Sequence, residues 1–84
     1  DPAALLAGPV AACASRSGLA TWSVGLELET TGREIVDVRL VSGADDAAFA
    51  RCIVESAWSL ALGEAYDRWT ASFEVNVLGD SSRR

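Results

Sequence analysis

The chain has 84 residues, half of them hydrophobic, and carries a net charge of −5 with no histidine and no methionine. This length allows one domain with one small core, and this hydrophobic content argues for a packed globule and against disorder. All seven basic residues are arginines scattered along the sequence, so they form no basic stripe, and we expect no nucleic-acid partner.

No apolar run is long enough to cross a bilayer. Because the chain contains no methionine, we take it as part of a longer protein whose membrane anchor, if it has one, lies outside this segment. We expect residues 1–84 to form a single domain, with a core over residues 10–77 and a polar tail over residues 78–84.

The first 18 residues predict two short helices. Pro2 and Pro9 each suit the first turn of a helix. Gly8 and Gly18 each suit the position just after a helix. The second of these helices has an apolar face that carries Val10, Cys13 and Ala14.

Residues 21–42 predict an antiparallel β-hairpin. Apolar and polar side chains alternate from Thr21 to Thr30, which is typical of a strand with one buried face. The segment Thr30–Arg33 supplies a glycine-containing turn, after which the alternation resumes. The side chains that we expect to face the core are Trp22, Val24, Leu26 and Leu28 in the first strand and Val36, Val38 and Leu40 in the second.

A second helix and a third strand complete the chain. Asp45 or Asp46 suits the N-cap of the helix. Helical spacing gives this helix an apolar face that carries Phe49, Cys52, Ile53 and Ala57. After a loop predicted at Gly63–Asp67, alternation returns in a strand whose inward residues are Trp69, Ala71, Phe73, Val75 and Val77.

These elements predict an α+β fold in the order helix, strand, strand, helix, strand. A right-handed crossover through the second helix places the third strand beside the first, so we expect a three-stranded antiparallel sheet in the order 2-1-3. Both helices should cover one face of this sheet, and the third strand should be an edge. The other face should meet water, because the outward residues of the third strand are polar: Thr70, Ser72, Glu74 and Asn76.

Cys13 and Cys52 each fall on the apolar face of a helix, and the two helices should cover the same sheet face. Two cysteines without histidine cannot make a four-ligand zinc site, and a nucleophilic cysteine would lack its usual base. Two interpretations remain, namely two free buried thiols or a disulfide. We favour the disulfide, which indicates an oxidising compartment and therefore a periplasmic or secreted protein.

Lipidation of Cys13 is a further alternative. The segment Val10–Cys13 is similar to the end of a bacterial lipoprotein signal, in which small residues precede the modified cysteine. The acidic first residue and Pro9 within the apolar stretch argue against such a signal.

The composition argues against an enzyme. Without histidine or lysine, acid–base chemistry would fall to carboxylates, and the neighbouring pair Glu27 and Glu29 lies on a strand face open to water. No glycine-rich phosphate loop is present. We therefore expect no catalytic residue, no cofactor and no metal. Among the aromatic residues, only Trp58 and Tyr66 are candidates for a binding surface.

Several motifs occur in series along the chain. A glycine, two valines and a serine mark the second strand at Gly32, Val36, Val38 and Ser42. A D..F..C pattern then opens the second helix at Asp46, Phe49 and Cys52, and Trp58 follows. Together with the cysteine in the first helix, this series resembles the C-terminal domain of TonB-type energy transducers over about residues 10–77.

The resemblance is strongest to the two-cysteine branch in myxobacterial gliding-motility proteins and more distant to the third domain of TolA. Two positions depart from the family pattern. Ala14 stands where an aromatic residue is common after the first cysteine, and the segment after the second helix, WSLALG, has no proline.

This resemblance implies a non-enzymatic module of the cell envelope that binds a partner protein or peptide by strand addition at the third strand. Such a module would belong to a trans-envelope energy-transducing or motility machine. The partner-binding residues that it implies are Trp69, Thr70, Ser72, Glu74, Asn76 and Val77. The alternatives are a structural domain that forms a homodimer through its sheet edge and a small secreted or lipoprotein domain.

Overall fold

The structure, a computed structural model, describes residues 2–63 and 70–80. Its elements, in chain order, are α1 (Pro2–Arg16), β1 (Thr21–Thr31), β2 (Glu34–Ser42), α2 (Ala47–Trp58) and β3 (Thr70–Asp80). The sheet has the order β2-β1-β3, and both neighbours of β1 run antiparallel to it. The predicted α+β fold, its element order and its strand order are therefore confirmed.

The two helices lie side by side over one face of the sheet. α1 contacts β3, α2 contacts β2, and the helices contact each other. Between the helices and the sheet lies one core of buried side chains. Its members are Leu6, Val10, Cys13, Ala14, Val24, Leu26, Leu28, Phe49, Ile53, Ala57, Val75 and Val77.

The prediction of two short helices before residue 18 is wrong, because α1 is continuous from Pro2 to Arg16. Leu6 is buried on the same stripe as Val10, so the apolar face runs past Pro9 without a break. Pro9 removes the backbone hydrogen bond that the Leu5 carbonyl would accept. Both residues are exposed, so water can hydrogen-bond to this carbonyl.

Two bulges interrupt the pairing of β2 with β1. The register shifts between Glu29 and Thr30 and again between Gly25 and Leu26, which leaves Val36 and Val41 as extra residues in β2. The prediction that Val36 faces the core is therefore wrong, and this side chain is 47% exposed. Because the first bulge shifts the alternation by one residue, Ile35 pairs with Thr30 and takes the inward position.

The N-terminus of α2 is capped as the sequence predicts. The Asp46 side chain accepts a hydrogen bond from the backbone N–H of Phe49, at 2.9 Å. This cap fixes the start of α2 at Ala47. With that start, Phe49, Ile53 and Ala57 face the sheet and are buried.

Gly43, between β2 and α2, holds a conformation that other residues rarely adopt. Its φ is +91°, and a Cβ atom placed there would collide with the backbone carbonyl of Ser23 in β1. Only glycine allows this close passage of the chain. The connection from the sheet to α2 therefore depends on this residue.

We predict unequal losses for two glycine substitutions. Gly43→Ala should lower the free energy of unfolding by about 2 kcal/mol or more, because it adds a collision to the cost of a positive φ. Gly18→Ala is the matched control, since Gly18 also has a positive φ, of +72°, but a Cβ atom there would meet no atom within 4 Å. It should lower the free energy of unfolding by only about 1 kcal/mol, which is the cost of the positive φ alone. Urea denaturation measures both, and a neutral Gly43→Ala would contradict the geometry of this connection.

Candidate functional site

The two edges of the sheet differ in regularity. β3 pairs with β1 in an unbroken register of eleven residue pairs, from Thr21 opposite Asp80 to Thr31 opposite Thr70. Within residues 2–63 and 70–80, no strand pairs with the outer side of β3. β2, the other edge, carries the bulges at Val36 and Val41.

This difference decides which edge can accept another strand. An antiparallel edge strand presents N–H and C=O groups on its outer side at every second residue, and these groups form the template for strand addition. Bulges bend a strand and break the spacing of the template, which protects an edge from pairing. The outer side of β3 is therefore the regular template, and we take it as the candidate functional site.

The predicted binding residues of β3 divide between its two faces. Ser72, Glu74 and Asn76 are exposed on the open face of the sheet, away from the helices. Val77 is only 4% exposed and belongs to the core, so it can contribute to binding through its backbone alone. Thr70 begins the strand, and Trp69 lies outside the described residues.

Leu78 is an exposed apolar residue on the open face that the sequence reasoning missed. Its side chain is 73% exposed, and it pairs with Ser23 of β1. The signal was present, because the alternation of β3 continues past Val77 and places residue 78 outward. The predicted polar tail begins at this residue, whereas β3 runs to Asp80.

The C-terminal end of β3 packs closely against β1. Trp22 lies opposite Gly79, and a Cβ atom at Gly79 would collide with the indole ring. The ring thus covers the glycine and holds this end of the strand in register. The regular part of the edge consequently extends to residue 80.

One row of charged side chains crosses the open face perpendicular to the strands. Arg39 of β2 pairs with Glu27 of β1, and Glu27 pairs in turn with Glu74 of β3. The Arg39 guanidinium donates a hydrogen bond to the Glu27 carboxylate at 3.0 Å. Glu74 has no cationic partner among the described residues and ends the row at the free edge.

A shallow depression of about 330 Å³ lies at this end of the row, lined by Glu27, Ser72, Phe73 and Glu74. Two like charges in directly opposite positions of a sheet destabilise the pair. Arg39 offsets the charge of Glu27 from one side only. No strand within residues 2–63 and 70–80 lies beyond Glu74, so a cation on a strand added to β3 would extend the row.

The predicted disulfide is confirmed. Cys13 of α1 and Cys52 of α2 are bonded, with their Cα atoms 5.7 Å apart. Because α1 contacts β3 and α2 contacts β2, the bond ties together the two halves of the helix layer that covers the sheet. A Cys13 sulfur in this bond is not available for lipidation.

The disulfide is consistent with an extracytoplasmic location. Over residues 2–63 and 70–80, no helix combines the length and the apolar character needed to cross a membrane. The same part of the chain contains no cluster of three or more histidine, cysteine, aspartate or glutamate residues placed to hold a metal ion.

The two aromatic candidates for a binding surface have different outcomes. Trp58, at the end of α2, is 47% exposed, as expected for a residue that is not part of the core. It lies on the helix layer, away from the open face of the sheet. Tyr66 lies outside the described residues, as does all of the predicted loop except Gly63.

Comparison of the chain with protein-family models, with curated proteins and with solved structures finds no match. The resemblance to the C-terminal domains of TonB and TolA therefore stays a prediction. The geometry of the β3 edge and the location of the disulfide are the observations that bear on function.

We predict that removal of the disulfide strongly destabilises the domain. The bond closes a loop of sequence separation 39, and in the chain-entropy model such a loop contributes about 4 kcal/mol to stability. The double variant Cys13→Ala/Cys52→Ala should therefore unfold at a much lower urea concentration than the oxidised protein. Added reductant should bring the wild-type protein close to the variant and leave the variant unchanged. A difference below about 1 kcal/mol would contradict this role.

Proposed function

We propose that this domain is a non-enzymatic module that binds an extended segment of a partner protein as a fourth strand on the outer side of β3. The observation that carries the proposal is the unbroken pairing of β3 with β1, which leaves a regular edge of eleven residues. Strand addition at such an edge provides affinity through backbone hydrogen bonds and selectivity through alternate side chains.

The proposed setting is the cell envelope, in the periplasm or in a secreted assembly. The disulfide supports an oxidising compartment. The motif series that resembles TonB-type transducers supports a place in a trans-envelope machine that transduces energy or drives motility. In that setting, a strand-adding domain would link its parent protein to a partner across the envelope.

The open face of the sheet suggests the chemistry of the partner segment. Its residue opposite Glu74 should be lysine or arginine, which would extend the row that begins with Arg39 and Glu27. Residues on the other face of the added strand would lie beside Phe73, Val75 and Val77 and should be apolar. The expected partner segment thus alternates apolar residues with polar ones and carries a central cation.

We predict that a peptide with this pattern binds more tightly with lysine than with glutamate at the centre. The expected difference in Kd is roughly fivefold to tenfold, because an opposite-charge pair replaces a like-charge pair beside Glu74. Isothermal titration calorimetry at low salt measures both affinities, and added salt should reduce the difference.

The variant Glu74→Lys should reverse this preference. Glu34→Lys is the matched control, because Glu34 is an exposed acid at the far end of β2 and should leave the preference unchanged. Equal affinities of the two peptides for the wild-type protein, or reversal by the control variant alone, would contradict the proposed charge row. Failure of both peptides to bind would contradict strand addition itself.

A homodimer through the same edge is the second candidate function. The exposed Leu78 on the open face favours it, because pairing of two copies would cover part of this side chain. The net charge of −5 on each copy and the acidic side chain of Glu74 at this edge oppose it. Light scattering over a concentration series separates the two functions. A monomer that binds peptide supports partner binding, whereas dimerisation that a β3 variant abolishes supports a structural role.

A further inference from the structure

A groove of about 500 Å³ crosses the outer surface of the helix layer. Its walls include Pro9 and Arg16 of α1, Cys52 and Ser56 of α2, and Leu60 beyond α2. The groove is separate from the β3 edge, because residues of α1, of α2 and of the segment after α2 line it and no residue of the sheet within the described ranges does. One half of the disulfide, Cys52, therefore lies against this groove.

The two cysteines of the bond are unequally accessible. Cys13 is fully buried, whereas Cys52 is partly exposed and lines the groove. A thiolate must reach a sulfur along a free path in order to attack it. Because Cys52 lines the groove, we take the groove as the path to its sulfur, whereas Cys13 is enclosed in the core.

Ser56 is placed to assist the departure of Cys13. Its hydroxyl lies 3.6 Å from the Cys13 sulfur, within hydrogen-bond distance for a sulfur atom. If the bond breaks by attack at Cys52, the electron pair remains on Cys13 as a thiolate. The Ser56 hydroxyl can then donate a hydrogen bond to this anion, which is a stronger bond than one to a neutral sulfur.

We propose that Cys52 is a site of reversible modification by low-molecular-weight thiols, through the groove between the helices. A thiolate such as that of glutathione attacks the Cys52 sulfur, the bond between Cys13 and Cys52 breaks, and a mixed disulfide forms on Cys52. Cys13 leaves as a thiolate and later takes a proton from water. A second thiolate attacks the glutathione sulfur of the mixed disulfide, so that Cys52 is released and two thiols are oxidised to one disulfide.

The same path operates in the direction of bond formation. The Cys52 thiolate attacks oxidised glutathione and releases one molecule of reduced glutathione. Cys13 then attacks the mixed disulfide from within the core, displaces the second glutathione and closes the bond. Cys52 thus carries the external thiol in both directions, and Cys13 is the resolving residue.

Trapping of the mixed disulfide tests the proposal. The native protein is treated briefly with reduced glutathione, and free thiols are blocked with N-ethylmaleimide. Trypsin cuts after Arg16 and Arg51, so Cys13 and Cys52 fall in separate peptides for mass spectrometry. We expect glutathione on the Cys52 peptide and N-ethylmaleimide on the Cys13 peptide, in at least a tenfold excess over the opposite arrangement. Equal labelling, an excess on Cys13, or reduction without any Cys52 adduct would overturn the proposal.

A pair of serine variants tests the part played by Ser56. Ser56→Ala should slow reduction by glutathione roughly fivefold, because the Cys13 thiolate loses a hydrogen bond. Ser59→Ala is the matched control, since Ser59 lines the same groove but its hydroxyl donates to the backbone carbonyl of Glu55. The control should react at the wild-type rate. Equal rates for the two variants, at equal stability in urea, would overturn the role of Ser56.

Discussion

The pairing of β1 with β3 is the interaction on which the rest of the structure depends. β1 is the central strand, hydrogen-bonded along both sides, and its inward residues Val24, Leu26 and Leu28 are buried beneath the helices. Because β1 is hydrogen-bonded on both sides, the two edges of the sheet are β2 and β3. The unbroken register with β3 makes one edge regular, while the bulges in β2 make the other irregular. The proposed function follows from this difference in regularity between the two edges.

The disulfide gives the regular edge a stable support. α1 covers β3 and α2 covers β2, so the helix layer could separate along the line between the two helices. The bond between Cys13 and Cys52 links the two helices covalently across this line. Its contribution of about 4 kcal/mol is a large part of the stability of a small domain, which is on the order of 5 kcal/mol or slightly more. The same bond lies beside the groove that Cys52 lines, which is the proposed route for thiols.

The sequence predicts the elements of this fold because each carries a local signal. Alternation marks the strands, helical spacing marks α2, and Asp46 marks its start. The errors occur where a neighbouring element overrides the local signal. Pro9 suits a helix start, but the buried stripe through Leu6 and Val10 keeps α1 continuous. Alternation predicts Val36 inward, but the bulge in β2 places Ile35 there.

The candidate site is only partly predictable for the same reason. The polar outward residues of β3 follow from its alternation, and its edge position follows from the crossover rule. The row formed by Arg39, Glu27 and Glu74 depends on the register of two strand pairs, which no local pattern reveals. The unequal burial of the two cysteines likewise depends on how the helices pack against each other.

Hydrogen exchange of the backbone amides, with and without a saturating lysine-containing peptide, tests strand addition most directly. In the free protein, every second amide of residues 70–80 should exchange quickly, because it points outward from the edge. The account predicts that the peptide slows these amides at least tenfold and leaves the amides of residues 34–42 unchanged. Protection along residues 34–42 instead, or no protection within residues 70–80 at saturation, would contradict it.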